Sequence, residues 1–143
     1  MNSKIPKPLP TVDELHKPFW EAARRHELVL QRCRKCGAYR YPAGLICHEC
    51  ASDDLEWTRV SGRGTVYTWT VFHRAYHPAF ATEVPYAVVA VELAEGPRML
   101  TNLINCPLSD IKIGMLVEVV FETMNDEISL PKFRPAYHER TTN

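Results

Sequence analysis

The sequence has no stretch that approaches the roughly 20 consecutive apolar residues a membrane helix needs. The first 30 residues also lack the apolar run of a signal peptide, and Pro6, Pro8 and Pro10 interrupt the little apolar character that they have. These two absences predict a cytoplasmic protein whose cysteines are reduced.

The chain also lacks a net charge, because its 143 residues include 17 Lys and Arg residues and 17 Asp and Glu residues. The charges are unevenly distributed: residues 1–50 carry nine basic and five acidic side chains, and residues 51–143 carry eight and twelve. The asymmetry favours two modules. It argues against general nucleic-acid binding, for which a strong basic excess is usual.

The common catalytic motifs are missing too. The chain contains no Gly-x-Ser-x-Gly nucleophile elbow, no Gly-Lys-Ser/Thr phosphate loop and no Gly-x-Gly-x-x-Gly fingerprint after a predicted strand. No paired carboxylates or nucleophile–base set stands out either. We therefore predict no catalytic residue in this chain.

What the sequence does have is two cysteine pairs, Cys33-x-x-Cys36 and Cys47-x-x-Cys50. Two such turns supply the four sulfurs of a tetrahedral metal site, which is closed to water and substrate and therefore structural. Zinc is favoured over iron, since nothing indicates electron transfer. The alternative is two disulfides, which would require an oxidising compartment. The fifth cysteine, Cys106, is predicted to be buried and inert.

A basic group surrounds the cysteine pairs in the sequence. Its members are Arg24, Arg25, Arg32, Arg34, Lys35 and Arg40. Arginine matches phosphate oxygens bidentately, so the group is a candidate for the phosphates of coenzyme A. The alternative is a solvated face that offsets the negative charge of a four-thiolate centre.

The amino-terminal part is predicted to be extended over residues 1–10 and then helical. Thr11-Val-Asp-Glu14 has the pattern of a capping box. A helix of about 15 residues should follow, to about Glu27, or a shorter one that starts after Pro18. Its large apolar residues, Phe19 and Trp20, either pack against the cysteine-rich segment or dock on another chain.

The segment from His73 to Glu83 is a polar and aromatic loop. His73 and His77 are candidates for metal ligands, but Pro78 follows them directly, which disfavours the helix that this spacing requires. The loop is otherwise a solvated hairpin or a contact for a partner or acyl-CoA. The candidate contact residues in it are Arg74, Tyr76 and Phe80.

Short β-type runs fill the rest of the chain. One strand at Leu28–Arg32 leads into the first cysteine pair, and a linker strand is predicted within residues 51–60. Five more strands are predicted at Gly64–Phe72, Tyr86–Leu93, Arg98–Asn105, Met115–Thr123 and Ile128–Phe133. This mostly β pattern predicts an amino-terminal extension and helix (1–27), a zinc ribbon (28–60), a five-stranded OB-fold barrel (61–135) and a tail (136–143).

The order of these motifs resembles the domain-of-unknown-function family 35. The motifs that carry the resemblance are Phe19-Trp20, Leu28-x-Leu30-x-x-Cys33-x-x-Cys36-Gly37, Tyr41-Pro42, Cys47-x-x-Cys50, Gly62-x-Gly64-x-Val66-Tyr67, Pro85-Tyr86-x-Val88 and Ile113-Gly114-Met115-x-Val117. The resemblance implies a rubredoxin-like zinc ribbon followed by an OB fold. It also implies a hetero-oligomer with a thiolase-like or related acyl-CoA enzyme, in which the partner supplies the catalytic groups. The small subunit would brace that assembly and help to form its acyl-CoA channel.

Two other functions remain open at this stage. A nucleic-acid-binding ribbon and barrel would use Tyr67, Trp69 and Phe72 to stack bases if they lay on an exposed face, and salt-dependent binding of single strands would identify it. A free-standing enzyme would use a pocket of the barrel, and thioesterase or hydratase activity of the isolated chain would reveal it.

Overall fold

A computed structural model describes residues 5–136 of the chain, so residues 1–4 and most of the predicted tail lie outside the described part. The regular elements are α1 (Lys17–Arg24), β1 (Val29–Cys33), β2 (Tyr39–Arg40), β3 (Leu55–Arg59), β4 (Arg63–Phe72), β5 (Tyr86–Leu93), β6 (Arg98–Leu103), β7 (Leu116–Thr123) and β8 (Ser129–Pro135). Single 3₁₀ turns cover Pro78–Phe80 and Leu108–Asp110. Within the described range, no helix combines the length and the apolar character that crossing a membrane demands.

The helix is shorter than the full prediction and begins differently. It starts at Lys17, and its first residue follows His16 without any side-chain cap. The predicted capping box at Thr11–Glu14 is wrong, because Asp13 Oδ1 instead accepts the backbone N–H of His16 at 2.8 Å and closes a turn before the helix. Pro18 lies in the first helical turn, where its missing N–H costs no intrahelical hydrogen bond.

The cysteine-rich segment forms a three-stranded antiparallel sheet in the order β2-β1-β3. The central strand β1 pairs with β3 over five positions, from Val29 opposite Arg59 to Cys33 opposite Leu55. The predicted linker strand is therefore the third strand of this sheet. It returns the chain to the point at which the barrel begins.

The remaining five strands close into a barrel in the order β4-β5-β6-β8-β7, which confirms the predicted OB fold. The closure depends on a short parallel contact in which Leu103 of β6 lies opposite Phe133 of β8. The third barrel strand ends at Leu103, earlier than predicted. Asn105 shortly after it has a left-handed φ of 56°, which is incompatible with an extended strand.

Ribbon and barrel share one hydrophobic core. Alternating residues of the barrel strands point inward, and Leu30 of the ribbon and Phe19 of the helix join the same cluster. The fully buried residues of largest volume are Phe133, Leu30, Met99, Val66, Val89, Val91, Val117 and Cys33. Because Leu30 belongs to this set, the small ribbon sheet is packed onto the barrel and does not have to form a core alone.

The connection between the two sheets is fixed by backbone hydrogen bonds. The N–H of Val60 donates to the carbonyl of Leu28 at 2.9 Å, and the N–H of Val119 donates to the carbonyl of Gly62 at 2.7 Å. Gly62 has a φ of 75°, and a Cβ at this position would lie 2.4 Å from a methyl carbon of Val119. Glycine is therefore required here both by conformation and by space.

Candidate functional site

The two cysteine turns bring four sulfur atoms to one point. The Sγ atoms of Cys33 and Cys50 are 3.6 Å apart, and those of Cys36 and Cys47 are also 3.6 Å apart. All four sulfurs lie within 4.8 Å of one another. In the part of the chain that the structure describes, this is the one cluster of three or more His, Cys, Asp or Glu groups able to hold a metal ion.

The donor set fits zinc. Four Zn–S bonds of about 2.3 Å in a tetrahedron place neighbouring sulfurs about 3.8 Å apart, close to the 3.6 Å of the two contacts between the turns. With four sulfurs around one point, no coordination position remains for water or substrate. Cys33 and Cys47 are buried, whereas Cys36 is exposed at the rim.

Each cysteine turn is closed by its own backbone. The N–H of Gly37 donates to the carbonyl of Cys33 at 2.8 Å, and the N–H of Ala51 donates to the carbonyl of Cys47 at 2.9 Å. Both donors have left-handed backbones, with φ of 80° at Gly37 and 63° at Ala51. The sequence predicts the left-handed conformation at Gly37, because glycine favours it. It does not predict that conformation at Ala51, because alanine rarely adopts it.

Backbone N–H groups also act on the sulfurs. The N–H of Cys36 lowers the pKa of Cys33 to about 6, and the N–H of Cys50 lowers the pKa of Cys47. For Cys36 and Cys50 the N–H two positions further along lowers the pKa, but burial and the neighbouring sulfurs raise it more, to about 12 for Cys36. Near neutral pH Cys33 is therefore largely a thiolate, whereas Cys36 and Cys50 must lose a proton to bind a metal.

Several side chains of the basic group form ion pairs or hydrogen bonds with other residues of the chain. Arg34 forms ion pairs with Glu56 at 3.2 Å and with Asp54 at 3.6 Å. The Arg32 guanidinium donates to the carbonyl of Gly37 at 3.1 Å, next to the first cysteine turn. These contacts give the basic residues a structural role beside a negatively charged metal centre.

Other members of the group bind backbone carbonyls or acids. Arg40 donates to the carbonyls of Pro42 and Ile46, in the loop between the two cysteine turns. Arg25 lies 3.7 Å from a carboxylate oxygen of Glu27. Both side chains thus make contacts within the chain, although the Arg25 side chain remains 61% exposed.

Gln31 is a functional residue that sequence reasoning missed. Its side chain is buried in the ribbon sheet, and its Oε1 atom accepts the backbone N–H of Gly44 at 2.8 Å. The contact holds the loop between the two cysteine turns against β1. A polar residue in a short strand carried no signal of this role.

The two large residues of the helix have different environments. Phe19 is buried in the core and contacts Trp20 edge-on at 5.1 Å and Tyr41 at 5.9 Å between ring centroids. Trp20 is half-buried and packs against the same core. Of the two roles predicted for these residues, Phe19 therefore has the first, packing in the core. Trp20 keeps exposed surface that could still contact another chain.

The loop between β4 and β5 is ordered by its own side chains. His77 Nδ1 accepts the N–H of Ala79 at 3.1 Å and so begins the 3₁₀ turn. Tyr76 is 75% exposed, with the Arg74 guanidinium 5.5 Å from the centre of its ring. Phe80 is half-buried and approaches Tyr86 at 6.1 Å. The rigid barrel therefore presents Arg74 and Tyr76 to solvent.

Two family models cover most of the chain. Residues 20–56 match the model described as the ChsH2 rubredoxin-like zinc ribbon domain, and residues 57–122 match the ChsH2 C-terminal OB-fold domain. Together with the four-sulfur cluster, this match identifies a ribbon with structural zinc.

The chain is also similar to individual proteins. A probable enoyl-CoA hydratase alpha subunit of Thermomonospora curvata is 41% identical over 93% of this chain, but the chain spans only 41% of that protein's length. A DUF35 domain-containing scaffold protein of Methanocaldococcus jannaschii is 36% identical over 72% of this chain and 73% of its own length. A solved structure described as an Ltp2-ChsH2(DUF35) aldolase is 40% identical and superposes with a TM-score of 0.82. The match covers 90% of this chain and 100% of that one. On these similarities and on its fold, the chain belongs to the DUF35 family.

Proposed function

We propose that this chain is a non-catalytic accessory subunit that binds and stabilises a thiolase-like or related acyl-CoA enzyme. In this proposal the chain also helps to form the acyl-CoA channel of its partner. The observation that carries it is the similarity, over nearly the whole chain, to a protein whose name joins a DUF35 component to an aldolase. The names "scaffold protein" and "alpha subunit" among the relatives point the same way.

The chemistry of the chain supports a structural role. Its metal site is closed: we propose that Cys33, Cys36, Cys47 and Cys50 are the zinc ligands, which leaves no position for a substrate. The zinc would hold the two cysteine turns of the ribbon together instead of activating water. None of the five cysteines forms a disulfide, and the proposal places the protein in the cytoplasm, where thiols stay reduced.

The loop between β4 and β5 is the best candidate for the partner contact. Tyr76 and Arg74 combine an exposed aromatic ring with a cation, and both residue types are enriched among interface anchors. A second candidate contact comprises the half-buried Trp20 of α1 and the exposed Arg24 and Arg25 at the end of that helix. Phe19 would act indirectly, by fixing the helix to the core.

Nucleic-acid binding receives less support. Trp69 packs against the core, and Phe72 is engaged with Tyr76 and Tyr86. Tyr67 is exposed, but the Arg98 guanidinium covers its ring at 3.7 Å. The three aromatics therefore offer no open stacking surface of the kind that single strands require.

Co-expression with a thiolase-like or related acyl-CoA enzyme from the same genome tests the proposal. We expect a stable complex, and we expect the partner to lose thermal stability and activity when the chain is omitted. A monomeric chain that changes neither property of that enzyme would contradict the proposal. Salt-sensitive micromolar binding to single-stranded RNA or DNA would instead favour the nucleic-acid alternative.

Paired variants locate the interface. Tyr76→Ala should weaken the complex about thirtyfold or more, since a buried aromatic anchor contributes about 2 kcal/mol or more. Ile113→Ala removes an equally exposed apolar side chain, 70% accessible, from a loop before β7 and should leave affinity unchanged. Equal effects of the two substitutions would exclude the loop as the contact.

A further inference from the structure

A concave pocket of about 530 Å³ opens on the barrel beside the loop that joins β4 to β5. Its volume lies within the range of small-molecule sites. Val88 of β5 and Leu100 of β6 contribute outward-facing side chains, since their neighbours Ala87, Val89 and Met99 are buried in the core. The second and third strands of OB folds, with the loop that precedes them, form the face that most often binds ligands.

The charged groups at this pocket are already paired. Among the described residues of the lining, Lys132 is the single cation, and its ammonium group contacts the Glu122 carboxylate. Glu83 is the single acid, and its Oε1 atom lies 2.8 Å from the Lys7 ammonium group. The pocket therefore presents no unpaired charge to a phosphate or carboxylate.

The polar side chains of the lining are occupied as well. Asn102 Nδ2 donates to the carbonyl of Ala87 at 3.0 Å, and Thr101 Oγ1 donates to the carbonyl of Pro131 at 2.8 Å. The rest of the lining is aliphatic or aromatic, with the Tyr86 hydroxyl as its polar exception. Besides the small Ala87, this part comprises Phe80, Tyr86, Val88, Leu100, Leu103 and Ile104.

We propose that this pocket binds a neutral hydrocarbon group and excludes the anionic nucleotide end of coenzyme A. Its occupant is then the acyl chain of the thioester that the partner enzyme processes. That identification rests on the proposed function, whereas the preference for a neutral apolar group rests on the pocket alone. Leu100 supports the preference, because a leucine 74% exposed on a strand gains from any apolar group that covers it.

Binding of a neutral dye to the zinc-loaded chain tests the preference. Nile red should bind saturably with an increase in fluorescence, and the neutral alcohol 1-decanol should displace it. Coenzyme A at the same concentration should not displace the dye. Absence of saturable binding would overturn the proposal, and so would displacement by coenzyme A as effective as that by decanol.

Two pocket variants and one matched control locate the dye. Leu100→Gln removes apolar surface and Val88→Phe fills the pocket, so each should weaken dye binding about fivefold to tenfold. Ile113→Gln makes the same kind of change at a residue outside the lining and should have no effect. Unchanged binding in both pocket variants, or an equal loss in the control, would contradict the assignment.

Binding of acyl-CoA to the complex with the partner tests this inference separately from the proposed function. Acyl-CoA of increasing chain length should bind the complex more tightly, and Leu100→Gln should reduce that gain while leaving the affinity for coenzyme A unchanged. If assembly with the partner instead blocks Nile red and acyl chains alike, the pocket is a protein interface and the inference fails. Dye binding by a chain that forms no complex would count against the proposed function only.

Discussion

The sulfur of Cys33 lies 3.6 Å from the sulfur of Cys50, although 17 positions separate the two residues. The same distance joins Cys36 to Cys47, so each of these contacts connects one cysteine turn to the other. A cation at this point would cross-link the end of β1 to the segment before β3. The fold of the ribbon should therefore depend on the metal.

Substitution of a single cysteine tests this dependence. Cys47→Ala removes a buried sulfur from the cluster, and we expect the purified variant to contain much less than one zinc per chain. Elemental mass spectrometry measures the metal, and amide NMR signals of β1–β3 report the ribbon. Cys106→Ala is the matched control, which should retain one zinc and native spectra. Equal zinc in the two variants would refute the ligand assignment.

The pKa values of the four sulfurs predict a proton count for zinc binding. At pH 7.5 Cys33, with a pKa of about 6, is already a thiolate, and Cys36, with a pKa of about 12, is still protonated. Cys47 resembles the first and Cys50 the second in the direction of its shift. Because Cys36 and Cys50 must each lose a proton and Cys33 need not, binding should release between two and three protons per zinc.

Calorimetry in buffers of different ionisation enthalpy measures that number. The sign of the pH dependence follows: zinc affinity should fall as the pH falls, and more steeply below pH 6, where Cys33 also becomes protonated. A proton release near zero at pH 7.5, or an affinity that rises on acidification, would contradict the four-thiolate site.

The sequence predicts the metal centre well because its determinants are local. Two Cys-x-x-Cys turns need only a few backbone hydrogen bonds to orient their sulfurs. The positive φ of Gly37 can be predicted because glycine adopts this conformation without strain. The barrel is also predictable, since alternating apolar residues mark its strands and short turns imply antiparallel pairing.

What the sequence does not predict depends on competition between local turns and on tertiary contacts. The helix begins at Lys17 because Asp13 closes a turn with His16, and this turn competes with the capping box that Thr11 and Glu14 suggest. Likewise, the pocket beside Leu100 exists only because β5, β6, the loop before β5 and Lys132 of β8 converge in the folded barrel. No local pattern encodes such a convergence.

Packing of the ribbon on the barrel gives a stability prediction. Leu30 is fully buried at 0% exposure and lies in the core shared by the two sheets. Leu30→Ala should lower the free energy of unfolding of the zinc-loaded protein by about 2–5 kcal/mol, through lost burial and a residual cavity. Leu45→Ala truncates a leucine that is 77% exposed and should change it by no more than about 0.5 kcal/mol. Urea unfolding measures both, and similar losses would show that the ribbon does not share the barrel's core.

The left-handed backbone of Ala51 predicts a stabilising substitution. Its φ of 63° is unfavourable for a residue with a Cβ and costs about 1–2 kcal/mol, whereas glycine adopts it freely. Ala51→Gly should therefore raise the free energy of unfolding by about 0.5–1 kcal/mol after the larger chain entropy of unfolded glycine is subtracted. Ala38→Gly is the control, because the φ of Ala38 is not positive and glycine should destabilise the chain there. Destabilisation by both substitutions to the same extent would mean that Ala51 is not strained.

The thiol of Cys106 should react slowly in the zinc-loaded protein. Burial raises its pKa above the ordinary value of 9.0, and the nearby Asp110 carboxylate raises it further. The thiol is thus protonated at pH 7.5, and alkylation by iodoacetamide should be slower than that of a free cysteine and should accelerate as the pH rises through 9. Asp110→Asn removes the negative charge, lowers the pKa and should increase the rate at fixed pH. Peptide mass spectrometry over time measures these rates, and an Asp110→Asn rate at or below that of the unsubstituted chain would rule out the electrostatic contribution.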